Sequence, residues 1–258
     1  HPIAKCMDLA EKIANRFGLL SCEVVPSDLS DPTSTVGLAQ AGANEIERHL
    51  KSTQPKILAM GTGRVLRACV DELAPLDCTQ HRIVALLGNM TSDGAASPYD
   101  VVVRMAERVN AKHYPMPLPV LPQSVKAKNQ LHAMPHIAQN MALARQADVT
   151  FVGVGNLGTN SPLHLDGFVT PKELDELQTG GAVGEIISWV FDKNGQLLDC
   201  GINQRVASTP LIVASSKPVF AIAAGEDKVF AILGALRSKL VNSLITNEYT
   251  AERLLSID

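Results

Sequence analysis

The five cysteines of this sequence form no Cys-x-x-Cys pair, so neither a zinc knuckle nor a redox motif of that spacing is present. An odd number without a framework also argues against a disulfide-stapled secreted domain. We therefore expect reduced, mostly buried thiols in a cytoplasmic protein. The cysteines are Cys6, Cys22, Cys69, Cys78 and Cys200.

Long apolar runs and blocks of basic residues are also lacking. No run approaches the roughly 20 residues of a membrane span, and no signal peptide is visible. Lysine and arginine number 23 against 26 aspartates and glutamates, a net charge of −3. We therefore expect no membrane contact and no nucleic-acid-binding surface on this chain itself.

The histidines and serines do not indicate a metal centre or a nucleophile. The seven histidines are scattered, and Pro135 interrupts the helix between His132 and His136, which are four residues apart. No Gly-x-Ser-x-Gly elbow occurs. We therefore expect no metal, no cofactor and no catalytic triad.

Length and composition predict a sizeable core. The 258 residues are 46% hydrophobic and 19% charged, which suits one large domain, with or without a small appendage. We expect residues 1–258 to form a single domain. A mean hydropathy of +0.09 allows part of the surface to be covered by a second subunit.

Strand and helix patterns alternate along the chain. Continuous apolar strands separated by helices predict an α/β fold with a mostly parallel, Rossmann-like sheet covered on both faces. A loop rich in Ser, Asp, Thr and Pro is predicted at 26–35. Strands are predicted at 21–25, 56–60, 82–87, 149–154, 218–223 and 243–246. Helices are predicted at 3–17, 36–50, 64–73, 99–111, 227–239 and 247–255, with a short helix after the capping box at 170–173.

One region departs from this alternation. Residues 186–191 and 196–199 have strand character, and Asn194-Gly195 between them favours the positive φ angles of a hairpin turn. We predict a small antiparallel hairpin added to the main sheet.

A glycine-rich turn, Gly61-Thr62-Gly63-Arg64, joins a predicted strand to a predicted helix. Glycines let the backbone approach an anion, the helix N-terminus offers free N–H groups, and Arg64 supplies a forked cation. The turn is not a Walker A loop, because Gly-Lys-Ser/Thr is absent. It is a candidate phosphate site, or a tight turn without a ligand.

Two further strand ends carry candidate polar groups. Gly155-Asn156 follows the strand predicted at 149–154, and Asn89 follows the one at 82–87. Ligands of parallel sheets bind at the carboxyl ends of strands, which places these residues near Gly61–Arg64. Alternatively, they form turns and caps only.

Several stretches together resemble the effector-binding domain of SorC/DeoR-type bacterial transcriptional regulators. They are Gly-Thr-Gly-Arg at 61–64, Gly-Gly-Ala-Val-Gly-Glu-Ile at 180–186, Ala-Ala-Gly-Glu-Asp-Lys at 223–228 and the closing segment 244–255. The resemblance runs over the whole chain. It implies a fold similar to that of glucosamine-6-phosphate deaminase, ribose-5-phosphate isomerase and CoA-transferases.

The resemblance assigns roles to three charged residues. It implies that Glu185 accepts hydrogen bonds from sugar hydroxyls and that Lys228 reaches the anionic end of the ligand. Asp166, in a polar loop, is a candidate for the same role as Glu185. From composition alone, Glu185 and Lys228 are more often solvated surface residues, and Asp166 could instead only make an Asx turn.

We therefore expect a ligand-sensing domain rather than an enzyme. Its effector would be a sugar, sugar phosphate or polyol, and the domain would self-associate as a dimer or tetramer. Operator DNA would be bound only through a helix-turn-helix that this chain does not contain. The alternatives are a sugar-phosphate isomerase or deaminase, of whose Asp-Gly-Ala-Asp-Glu motif only the fragment Asp166-Gly167 is present, and a bare oligomerisation domain.

Overall fold

The computed structural model describes residues 1–31 and 34–258, so the loop predicted at 26–35 lies partly outside the described residues. Ten strands are described: β1 Ser21–Val25, β2 Ile57–Met60, β3 Arg82–Ala85, β4 Lys112–Tyr114, β5 Val149–Val152, β6 Gly155–Asn156, β7 Ala182–Ile186, β8 Trp189–Asp192, β9 Val219–Ile222 and β10 Ser243–Asn247. The helices are α1 Pro2–Phe17, α2 Val36–Leu50, α3 Arg64–Asp71, α4 Val102–Val109, α5 Val125–His132, α6 Pro135–Arg145, α7 Pro162–Leu165, α8 Pro171–Thr179, α9 Gly201–Arg205, α10 Val229–Arg237 and α11 Glu248–Ser256. A 3-10 turn at Glu226–Lys228 precedes α10.

Seven strands form one parallel sheet in the order β1-β10-β9-β5-β2-β3-β4. From β2 the chain proceeds outward through β3 and β4, then returns to place β5 on the other side of β2. This reversal creates a crevice between β2 and β5 at their carboxyl ends, where open α/β sheets bind ligands. The predicted α/β fold with a mostly parallel sheet is confirmed.

The sheet separates two hydrophobic cores. Along β2, Ile57 and Ala59 belong to one core, and Leu58 and Met60 belong to the other. Residues of α1, α10 and α11 fill the first core, and residues of α2, α3 and α4 fill the second. Because successive side chains of a strand point to opposite faces, a strand buried on both sides must be continuously apolar.

The small antiparallel sheet has the order β6-β7-β8, and its hairpin is not the predicted one. The turn between β7 and β8 is Ile187-Ser188, with φ angles of 45° and 71°. The predicted turn at Asn194-Gly195 exists, but it leads only to an isolated bridge between Phe191 and Leu197. The pairing of the strands was therefore predicted wrongly, although the antiparallel addition is confirmed.

Close packing explains why β7 is the strand that pairs with β8. Gly184 of β7 lies against α10, where an added Cβ would come within 2.5 Å of the Ala231 Cβ. This approach buries Ile186 of β7 and Phe191 of β8 in the core. The Asn-Gly signal describes local turn preference only, and here burial against α10 decides the pairing.

The expected reduced cysteines are present, and all five are free thiols. Three are buried and two are half-buried. None of the helices in the described part of the chain combines the length and the hydropathy that a membrane-spanning segment needs. Residues 1–31 and 34–258 contain no cluster of His, Cys, Asp or Glu that could hold a metal ion.

Candidate functional site

A cavity of about 110 Å³ lies at the carboxyl ends of β2 and β5. The small antiparallel sheet, the segment around α7 and the turn before α10 complete its walls. Seven of the residues predicted from the sequence line it: Thr62, Gly63, Arg64, Gly155, Asp166, Glu185 and Lys228. Residues up to 166 positions apart in the chain thus converge on one site, because Thr62 and Lys228 follow strands of the same parallel sheet.

The N-terminus of α3 forms one wall of the cavity. Gly63 precedes the helix with φ 125° and ψ 171°, a conformation that side chains disfavour. The first amide to bond within the helix is that of Arg67, which donates to the Gly63 carbonyl at 3.0 Å. The amides of the first helical turn are therefore available to an acceptor, and Val65 and Leu66 of that turn line the cavity.

Thr62 and Arg64 already have protein partners. The Thr62 hydroxyl donates to the carbonyl of Tyr99 and so holds the segment before α4 against the glycine turn. The Arg64 Nη2 donates to Asp166 Oδ1 at 2.9 Å. The same guanidinium lies 4.4 Å from the centre of the Tyr99 ring. Sequence patterns predicted these groups but not their mutual contacts.

Glu185 occupies a position that the small sheet fixes closely. It faces Gly155 across the β6–β7 pair, and a Cβ on Gly155 would lie 2.1 Å from Glu185 Oε1. The Ser188 amide donates to Glu185 Oε2 at 2.7 Å. Burial raises the pKa of Glu185, and the Ser188 bond and the charge of Lys228 offset part of that effect.

Lys228 ends the 3-10 turn that follows β9. Its amine makes no hydrogen bond or ion pair with any residue that the structure describes, yet the side chain lines the cavity. Burial lowers the pKa of Lys228, while the charges of Asp227 and Glu185 act in the opposite direction. The amine is therefore available as a donor to a ligand in the cavity that its side chain lines.

Three predicted residues lie outside the cavity lining. Gly61 is buried, and its amide donates to the Phe151 carbonyl at 2.8 Å, which continues the pairing of β2 with β5. The Asn89 amide donates to the Met116 carbonyl at 3.2 Å, and its Oδ1 is buried without a hydrogen-bond partner in the described chain.

Asn156 is the third, and it acts on the turn that carries Lys228. Its Nδ2 donates to Asp227 Oδ2 at 3.2 Å, and its Oδ1 accepts from the Gly158 amide at 2.9 Å. Asn160 donates to the same Asp227 oxygen at 3.0 Å. Asn156 thus holds the turn that carries Lys228, although it does not line the cavity itself.

Two lining residues carry no usable sequence signal. Tyr99 lies within a predicted helix that begins only at Val102, so its position beneath Arg64 depends on tertiary contacts. Ser188 lies in a turn with positive φ that its residue type does not favour.

Comparison with known proteins identifies the family of this chain. The sugar-binding domain family, Sugar-bind, matches residues 1–256. The erythritol catabolism regulatory protein EryD of Brucella abortus is 31% identical over 253 residues, 98% of this chain and 80% of that protein. The sorbitol operon regulator of Klebsiella pneumoniae is 27% identical over 252 residues, 96% of this chain and 79% of that protein.

Solved structures show the same fold. The full-length sorbitol operon regulator SorC from Klebsiella pneumoniae superposes with a TM-score of 0.86 at 26% identity, covering 97% of this chain and 81% of that one. A DeoR family transcriptional regulator from Listeria monocytogenes gives 0.86 at 22% identity, covering 96% and 99%. These relatives are named as regulators, which supports ligand sensing over the isomerase or deaminase alternative. The chain belongs to the sugar-binding domain family of SorC/DeoR-type transcriptional regulators.

Proposed function

We propose that this chain binds a sugar, a sugar phosphate or a polyol in the cavity between β2 and β5, and that this binding sets the activity of a transcriptional regulator. The observation that carries the proposal is the pairing of donors with acceptors in one small cavity. The free amides of α3, the Lys228 amine and the carboxylates of Glu185 and Asp166 all belong to residues that line this cavity.

Each side of the cavity suits one part of such a ligand. A phosphate or a hydroxyl-rich head accepts hydrogen bonds from the first turn of α3 and from Lys228. The remaining hydroxyls donate to Glu185 and Asp166, because a carboxylate accepts several such bonds. Gly61, Asn89 and Asn156 support the loops from outside the cavity lining.

The names of the relatives guide the ligand class. EryD is named for erythritol catabolism, and the Klebsiella protein for the sorbitol operon. Both compounds are short polyols, whose hydroxyl groups can donate to the acceptors Glu185 and Asp166 in a cavity of about 110 Å³. We therefore place erythritol, sorbitol and their phosphate esters first among candidate effectors.

The regulatory role needs partners beyond the effector. We infer that residues 1–258 act as one sensing domain and self-associate as a dimer or tetramer, because a palindromic operator requires symmetric subunits. We infer that operator DNA is contacted by a part of the regulator outside these residues, since this chain covers 80% of EryD and has a net charge of −3. A regulator that reads DNA acts in the cytoplasm.

Thermal unfolding against a panel of sugars, polyols and their phosphates tests the proposal. A ligand that binds only the folded state raises the melting temperature by mass action. Lys228→Gln should weaken the strongest binder about tenfold or more, since hydrogen bonds to charged groups contribute about 1.5–3 kcal/mol. Lys193→Gln, at an exposed lysine outside the cavity lining, is the matched control and should leave affinity unchanged.

Two results would count against the proposal. If no compound of the panel shifts the melting temperature, then sugars, sugar phosphates and polyols are excluded as ligands. Equal affinity of the Lys228→Gln and Lys193→Gln variants for the best binder would place the ligand elsewhere.

A further inference from the structure

The ion pair between Arg64 and Asp166 joins two walls of the cavity. Arg64 is the first residue of α3, and Asp166 is the residue directly after the short helix α7. Their side chains meet at 2.9 Å, and the Asp166 side chain retains only 14% exposure against 48% for Arg64. The carboxylate therefore lies on the inner side of the pair.

The guanidinium has little freedom to leave this position. One Nη donates to Asp166, and the planar group lies 4.4 Å from the centre of the Tyr99 ring. The backbone of Tyr99 is held in turn, because its carbonyl accepts from the Thr62 hydroxyl. An arginine that stacks on an aromatic ring and pairs with a carboxylate is held by two different kinds of contact.

Of the two cations that line the cavity, only Arg64 is held in an ion pair in the described part of the chain. Arg64 is matched by Asp166, whereas Lys228 interacts with the charges of Asp227 and Glu185 without an ion-pair contact among the described residues. Lys228 thus remains the uncommitted cation among the four groups, with the amides of α3 beside it. A ligand carrying one anionic head finds donors there, and a second anionic group would meet the Asp166 carboxylate.

We propose that Asp166 determines the charge of the ligand that this cavity accepts. By holding Arg64, it prevents the guanidinium from binding anions and presents hydroxyl groups with an acceptor. This inference rests on the proposed function for the location of the ligand. Asp166 would thus favour compounds with at most one phosphate. Bisphosphates would be disfavoured, and so would sugar acids whose carboxylate would lie against Asp166.

Inorganic phosphate is a suitable probe, because it reports anion binding without knowledge of the effector. Asp166→Asn keeps the shape of the side chain but removes the charge that holds Arg64. The variant should bind phosphate about tenfold more tightly than the unmodified chain, as measured by calorimetry or by thermal shift up to high millimolar concentrations. The same variant should bind neutral erythritol or sorbitol no more tightly than before.

Asp71→Asn is the matched control, because Asp71 pairs with Arg104 at 2.7 Å at the opposite end of α3. It changes the net charge by the same amount, and phosphate affinity should stay as in the unmodified chain. Adding Arg64→Gln to Asp166→Asn should abolish the gain, which assigns the gain to the freed guanidinium.

Three results would overturn the inference: phosphate affinity unchanged in Asp166→Asn, an equal gain in Asp71→Asn, or a gain that persists without Arg64. A failure of the polyol panel with a phosphate gain that follows this pattern would contradict the proposed function instead. The two failures are therefore distinguishable.

Discussion

The seven-stranded parallel sheet and the three-stranded antiparallel sheet contribute to the cavity in different ways. The parallel sheet supplies backbone amides and Lys228 at strand ends, in positions that its topology alone brings together. The antiparallel sheet supplies Glu185, held by a turn whose two residues have positive φ without being glycine. The regular region thus places donors on the cavity, and the irregular region places the acceptor Glu185 there. Residues with unfavourable backbone angles often occur next to functional sites, where they hold a side chain in place.

The largest loss of stability should come from a substitution that separates the small sheet from α10. Gly184→Ala places a Cβ 2.5 Å from the Ala231 Cβ and 2.9 Å from Phe191 Cζ, so β7 must move away from α10. Overpacking of a well-filled core costs about 1–3 kcal/mol of unfolding free energy. Urea denaturation of the variant and of the unmodified chain measures this loss.

Gly201→Ala is the control for that substitution, because no atom lies within 4 Å of its added Cβ. It should change the unfolding free energy by less than about 0.5 kcal/mol. Equal stability of the Gly184 and Gly201 variants would show that the small sheet is not anchored on α10.

The same contrast explains what could be predicted from the sequence. Strands such as β2 and β9 were predictable, since burial on both faces requires an unbroken apolar run. β4 was missed because its three residues are exposed or half-buried. α5 was missed because it buries no residue and so has no apolar stripe.

The site divides in the same manner. Gly61–Arg64 and Lys228 were predictable from strand–turn–helix junctions and from family resemblance. The pair of Arg64 with Asp166 spans 102 positions, and no local pattern encodes it. The position of Glu185 depends on the turn at Ile187-Ser188, whereas local preference pointed to Asn194-Gly195.

A smaller change in the free energy of unfolding should follow from removing the charge of Glu185 in the small sheet. Because burial raises the pKa of Glu185 above its ordinary 4.5, the folded state favours the protonated carboxyl. Ionisation therefore costs stability progressively as pH rises from 4.5 through the raised value. Glu185→Gln should be more stable than the unmodified chain at pH 7.5, and this advantage should vanish below pH 4.5.

Chemical denaturation between pH 4 and 8 measures this difference, with Glu176→Gln as the control at an exposed glutamate. Glu185→Gln should also weaken polyol binding, because an amide accepts fewer hydrogen bonds from hydroxyls than a carboxylate. A destabilisation of equal size at every pH would show that the carboxylate is a structural requirement rather than an acceptor kept for a ligand.

We expect no conversion of sugar phosphates in a turnover assay. The relatives are named as regulators, so ribose 5-phosphate and glucosamine 6-phosphate should be recovered unchanged after prolonged incubation with the protein. Product analysis by mass spectrometry measures this. Turnover that survives repurification and disappears in Glu185→Gln would instead support the isomerase or deaminase alternative.

A crystal structure with the strongest binder among erythritol, sorbitol and their phosphates tests the central claim most directly. We expect the phosphate or the terminal hydroxyls within hydrogen-bond distance of the first amides of α3 and of Lys228, and the remaining hydroxyls on Glu185 and Asp166. The Arg64–Asp166 pair should persist in that complex. A ligand bound outside the cavity between β2 and β5, or one inside it that makes no contact with Lys228 or Glu185, would contradict this account.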